Sequence, residues 1–138
     1  GTEVPPVDER IRRANAGDAA ALISIAVGTG EQVERGSACF HYGTPTTHSP
    51  MGRRLAESIQ PELVRRLGLP DAGLHRRSIA ILRETRMPAV RIEPAVAIDR
   101  DDATRIVEPN FVRDVALAIA DGVVAFSRPA PADLARST

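Results

Sequence analysis

The sequence predicts an α/β fold, a three-layer sandwich with a mostly parallel sheet and helices on both faces. Three observations carry that expectation. Apolar runs of strand length alternate with segments whose apolar residues recur at helical spacing. Glycine and proline fall mainly between these segments, where chain reversals are needed. The chain has 138 residues, 43% of them hydrophobic and 26% charged, which suits one ordinary domain with its own core.

The elements follow in order. Pro5-Pro6 ends a short extended lead, and Asp8-Glu9-Arg10 opens a helix whose acidic start complements its dipole. Ile11 and Ala14 give that helix an apolar face, and Ala16-Gly17-Asp18 closes it. Ala21–Val27 (ALISIAV) is a short apolar run bounded by polar and glycine residues, expected as a buried strand. Gly28-Thr29-Gly30 breaks it, and Ser37–Tyr42 (SACFHY) is expected as a second strand ended by Gly43. Ser49 stands where an N-cap belongs, with Pro50 at the first helical position. The helix runs from Pro50 to Leu67 with a stripe of Leu55, Ile59, Leu63, Val64 and Leu67, and Gly68 caps it. Pro61 inside it predicts a kink near Ser58 or a break. Leu69 to Arg77 reads as a turn-rich link and Ser78–Arg83 (SIAILR) as a short strand. Pro88–Glu93 (PAVRIE) is a further strand. Asp99 begins a short helix through Val107, and Pro109 or Asn110 starts the last one. Its expected face is Val112, Val115, Ala116, Ile119, Val123 and Phe126. The predicted core is Leu22, Ile23, Ile25, Leu55, Ile59, Leu63, Val90, Ile92, Val115, Ile119 and Val123. Residues 1–127 are read as the folded domain and 128–138 as a Pro/Ala-rich tail.

Charge and composition narrow the function. Eighteen cationic side chains, all arginine, balance 18 acidic ones, for a net charge of zero. That balance, with three phenylalanines and one tyrosine, argues against a nucleic-acid binder, which would carry a basic face and stacking rings. No apolar run reaches the about 20 residues of a membrane span, and the polar, proline-punctuated Gly1–Asp8 does not read as a secretory leader. A single cysteine leaves no internal disulfide and no cysteine-rich zinc site. Cys39, alternating with Phe40, reads as a small buried hydrophobe. His41 is expected as a core or edge histidine. His48 and His75 lie in expected loops, without a second histidine at metal-ligand spacing, and read as solvated surface residues. The arginine pairs at 12-13, 53-54, 65-66 and 76-77 are expected on solvated faces, with a groove for an acidic partner as the alternative. No serine sits in a glycine-flanked nucleophile elbow, so a Ser-His-Asp reading is discarded.

Four stretches then carry a likeness: VDERIRRANAGDAAALISIAV, GSACFHYG, SPMGRRLAESIQPELVRRLGL and the long segment from SIAILRETRMPAVRIEP to VVAF. Together they resemble the C-terminal two-thirds of the zinc-dependent N-acetylmuramoyl-L-alanine amidases, which trim peptide stems from peptidoglycan. LRET-x-MPAV-x-x-E is the most specific of them. The resemblance implies a domain without the family's N-terminal strand–helix unit, whose zinc-binding histidine and glutamate would precede Gly1. The family's third zinc ligand is the histidine of SIHAN. Here that stretch is SIAVG, so Ala26 occupies the zinc-histidine position and Gly28 the asparagine's. Glu93 aligns with the glutamate that polarises the attacking water. Pro94-Ala95-Val96 replaces the glycine-phenylalanine that follows it. Arg91 lies two residues earlier, on the same strand face, so a structural Arg–Glu pair is the competing reading of Glu93. An alanine offers zinc no lone pair, and a general base without metal-bound water has little to act on.

The expectation that follows is a non-catalytic amidase-like module without a metal, similar to regulatory homologues of mycobacteria and other actinobacteria. It would bind peptidoglycan, its precursors or a cell-wall enzyme. The alternative is an active zinc amidase whose metal ligands lie outside this sequence. The family likeness implies an extracytoplasmic, cell-wall location, and the regulatory reading a cytoplasmic one.

Overall fold

A computed structural model describes residues 4–128. Nine elements follow the chain: α1 (Val7–Ala16), β1 (Leu22–Ile25), β2 (Ser37–Tyr42), α2 (Pro50–Leu67), β3 (Asp71–Arg77), α3 (Ala80–Arg83), β4 (Ala89–Glu93), α4 (Arg100–Ile106) and α5 (Phe111–Ser127). The strands form one sheet in the order β1-β4-β2-β3. Two of its three pairings are parallel, β1 with β4 and β2 with β3. The central seam, β2 with β4, is antiparallel. The sheet is therefore mostly parallel, as expected, and helices cover both faces.

Strand alternation sorts the core into two layers. Cys39, Val90 and Ile92 face α2 and α5 and pack with Leu55, Ile59, Leu63, Phe111, Val115 and Ala118. Ala38, Phe40 and Ala89 face the other way, toward Ile11 of α1 and Ile81 and Leu82 of α3. Burying about 25 cal/mol per Å² of apolar surface on each side is what holds a sheet between helices. Burial also pushes the Cys39 thiol up to about 12, as a small buried hydrophobe requires. The helix ends follow local chemistry. Ser49 Oγ accepts from the Gly52 N–H at 3.0 Å, Pro50 sits at the first position, and Gly68 at φ 69° closes α2 with its N–H on the Val64 carbonyl.

Several expectations are corrected. Leu69–Arg77 is not a link: Asp71–Arg77 is the edge strand β3, held by parallel pairing to β2 with a register shift between Ser37 and Cys39. Its polar sequence hides a strand that exists through its neighbour. Ser78–Arg83 is not a strand. Ala80–Arg83 forms one helical turn that buries both Ile81 and Leu82, whereas strand alternation would send one of them to solvent. Pro61 does not break α2, which runs unbroken to Leu67, because packing against α5 and the sheet outweighs one missing hydrogen bond. Ile25 is 54% exposed and Val112 77% exposed, so neither belongs to the core. Leu22, Ile23, Ile119 and Val123 are only partly buried. The buried face of α5 is Phe111, Val115, Ala118 and Gly122, rotated from the predicted stripe. The cause is Gly122, where α5 crosses α2 so closely that a Cβ would lie 2.6 Å from Ile59 Cγ1. The expected tail beyond Arg128, like residues 1–3, lies outside the described residues.

Candidate functional site

Parallel pairing brings the end of β1 beside the end of β4. Ile25 pairs with Ile92, the Ala26 N–H donates to the Ile92 carbonyl at 3.0 Å, and the Gly28 N–H donates to the Ala95 carbonyl at 2.8 Å. The SIAVG stretch therefore runs alongside Glu93, so the positions singled out in the sequence meet at one end of the sheet. Glu93 is buried, with 10% of its side chain exposed. Its Oε2 accepts from Arg91 Nε at 3.0 Å and from Arg77 Nη1 at 3.3 Å. A Cβ placed on Gly28 would lie 3.1 Å from Glu93 Oε1, so the other carboxylate oxygen lies close to the glycine backbone. The carboxylate is thus a bridge between two guanidiniums, joined to each by a charge-assisted hydrogen bond.

Arg77 reaches Glu93 from the far strand by crossing Phe40. Its guanidinium lies 5.1 Å from the Phe40 ring centroid, a cation–π arrangement that fixes the arm. Phe40 is in turn stacked with His75 at 5.3 Å, whose Nε2 lies 2.7 Å from the Ala72 carbonyl. His75 is consequently half-buried and part of this platform, not a solvated residue. The segment after Glu93 is pinned from α4. Asp102, fully buried, accepts from the Gly36 N–H at 2.7 Å and the Val96 N–H at 2.8 Å, while Ser37 Oγ donates to the Pro94 carbonyl at 2.8 Å. Arg77 and Asp102 were missed as site-forming residues. Arg77 stood in an expected link. The Asp99-x-x-Asp102 spacing was legible as a cap, and Asp99 does accept from the Asp102 N–H.

The other histidines lie elsewhere. His41 is buried on the opposite face of the sheet, its ring edge-to-face with His48 at 5.8 Å, and Arg76 Nη2 lies 3.2 Å from His48 Nδ1. His48 is half-buried rather than solvated. Burial holds His41 below the ordinary imidazole range. A bond to the Tyr42 carbonyl opposes that shift, and the nearby charges of Arg53, His48 and Arg76 add to it. Neither His41 nor His48 reaches Glu93. The arginine pairs are more structural than expected: Arg66 bonds Asp121 across helices at 2.6 Å, and Arg54 lies over the Phe126 ring.

Zinc, which the family likeness implied, finds no matching donor set. Among the described residues no three His, Cys, Asp or Glu side chains converge. Ala26 lines an apolar groove of about 380 Å³ with Ile25, Val27, Pro94, Phe111 and Val115. That environment suits neither a cation nor its water.

A family model described as N-acetylmuramoyl-L-alanine amidase matches residues 2–125. The chain belongs to the N-acetylmuramoyl-L-alanine amidase family. It is 37% identical over 123 residues to the amidase CwlM of Mycobacterium tuberculosis, covering 88% of this chain and 29% of that protein. It is 29% identical over 122 residues to the amidase LytC of Bacillus subtilis, covering 88% of this chain and 24% of that protein. Among solved structures, the amidase of Clostridium difficile 630 superposes with a TM-score of 0.79 at 22% identity, over 91% of this chain and 68% of the other. That likeness is one of fold. The chain thus spans 24% and 29% of the length of these two curated relatives. No helix among the described residues is long and apolar enough to cross a membrane.

Proposed function

We propose that this amidase-family domain serves peptidoglycan metabolism as a binding or regulatory module and does not hydrolyse the muramoyl–alanine bond. The observation that carries the reading is the state of Glu93. A glutamate that polarises water needs a lone pair aimed at that water and a metal to acidify it. Here Oε2 is taken by Arg91 and Arg77 and Oε1 packs against Gly28. Ala26, which stands by resemblance at the third zinc-ligand position, brings no donor. Even if two upstream ligands were supplied by further chain, the site would hold two where the family uses three. Glu93 then works as a bridge that ties β4 to β3.

The test is chemical. After dialysis the purified protein is expected to hold less than one zinc per chain by elemental analysis. Wild type and Glu93→Gln, each given zinc, are both expected to release no stem peptide from peptidoglycan. Activity in the wild type that vanishes in Glu93→Gln, or one tightly held zinc per chain, would overturn the reading.

A further inference from the structure

We propose that Arg77 and Arg91 form a carboxylate-binding site, the place where this domain holds a peptide-bearing cell-wall fragment; the ligand class rests on the functional reading above. Two guanidiniums converge on one carboxylate oxygen, and neither has a second acidic partner within 4 Å among the described residues. Glu93 neutralises one of the two charges, so the trio keeps a net positive charge. Arg91 spends only Nε on Glu93, and Arg77 only Nη1. Among the described residues the remaining donors of both forks have no protein partner and are not buried, and 28% of the Arg77 side chain and 27% of the Arg91 side chain face solvent.

These donors are held in place before any ligand arrives. Arg77 is fixed over the Phe40 ring, and Arg91 rises from a central strand between β1 and β2. Little side-chain freedom is therefore left to lose on binding. A further cation stands one strand away. Arg10 of α1 lines a cleft with Ser24, Ser24 is the register partner of Arg91, and the buried Arg10 Nε has no hydrogen-bond partner among the described residues. Planar guanidinium forks suit a planar carboxylate, and Glu93 already takes one bond from each arginine on a single oxygen. Glu93 accordingly acts as an internal competitor that keeps the forks oriented while leaving their outer N–H groups for a second carboxylate.

The probes are N-acetylmuramoyl-L-alanine, which has one free carboxylate, its C-terminal amide, and inorganic pyrophosphate, each titrated calorimetrically into the full chain. The acid is expected to bind at least tenfold tighter than the amide and more tightly than pyrophosphate. Arg77→Gln and Arg91→Gln are each expected to weaken it at least tenfold. Glu93→Gln, whose amide oxygen can still accept from both arginines, is expected to tighten binding by a few-fold, because it removes the competing charge. A misfolded variant could not produce that gain. Equal binding of acid and amide, a preference for pyrophosphate, loss of binding in Glu93→Gln, or folded arginine variants with wild-type affinity would overturn the site. Co-sedimentation with intact peptidoglycan separates the two levels of the claim. Retention of folded arginine variants at wild-type levels sinks the site and leaves the cell-wall reading standing. No retention of the wild type, with no binding of the acid, removes both.

Discussion

At the scale of single residues, His41 shows how far a side chain's role depends on its surroundings. It sits mid-strand in SACFHY, buried, with Arg53, His48 and Arg76 near it. Burial depresses its pKa in the folded state below the ordinary value of 6.5. As pH falls through 6.5 the unfolded chain takes up this proton first, so the folded state loses ground until the folded value is passed. Stability from this residue is complete above about 6.5 and is lost below it. The thermal midpoint is therefore expected to fall on acidification from pH 7 to 5, and His41→Asn to flatten that dependence. An unchanged slope in the variant would show that another group is responsible. Glu93 makes the complementary point. Its pairing with Arg91 was legible from two-residue spacing on a strand, but its second partner, Arg77, lies 16 residues away in sequence and became visible only once β3 was in the sheet.

At the scale of elements, local signals placed α2 and α4 well and α5 less so. Ser49-Pro50 and Gly68 mark both ends of α2, and Asp99 caps α4. For α5 two overlapping apolar stripes compete, and the glycine at 122 decides between them by admitting α2. Gly122→Leu is expected to push the two helices apart and cost about 1–3 kcal/mol, the usual penalty of overpacking. Urea denaturation measures it, and a variant as stable as wild type would mean that the crossing is looser than 2.6 Å implies. β3 and α3 were misread for one shared reason. Each is too short or too polar to declare itself, and each exists because a neighbouring element supplies its hydrogen bonds or its apolar cover.

Across the whole molecule, Asp102 joins parts that are distant in sequence. From α4 it accepts from Gly36, ahead of β2, and from Val96, just beyond β4. Asp102→Ala leaves two N–H groups to find other partners and is expected to destabilise by about 1–3 kcal/mol for each that stays buried and unpaired. Because Val96 follows Glu93 so closely, the same change is expected to loosen the carboxylate-binding site, seen as weaker binding of N-acetylmuramoyl-L-alanine by a fold that still unfolds cooperatively. Full affinity in a destabilised Asp102→Ala would confine its role to stability.

The sequence by itself determined the fold class, the family, the ends of the longest helices and the family positions held by Ala26 and Glu93. These rest on periodicity, capping chemistry and motif spacing, which act over a few residues or are carried by motifs. Only the tertiary structure decided which polar segment became the edge strand, which face α5 buries, and that Glu93 is shared by two arginines. Those outcomes depend on contacts between residues far apart in the chain, where the gain comes from burial and charge pairing that no local window contains.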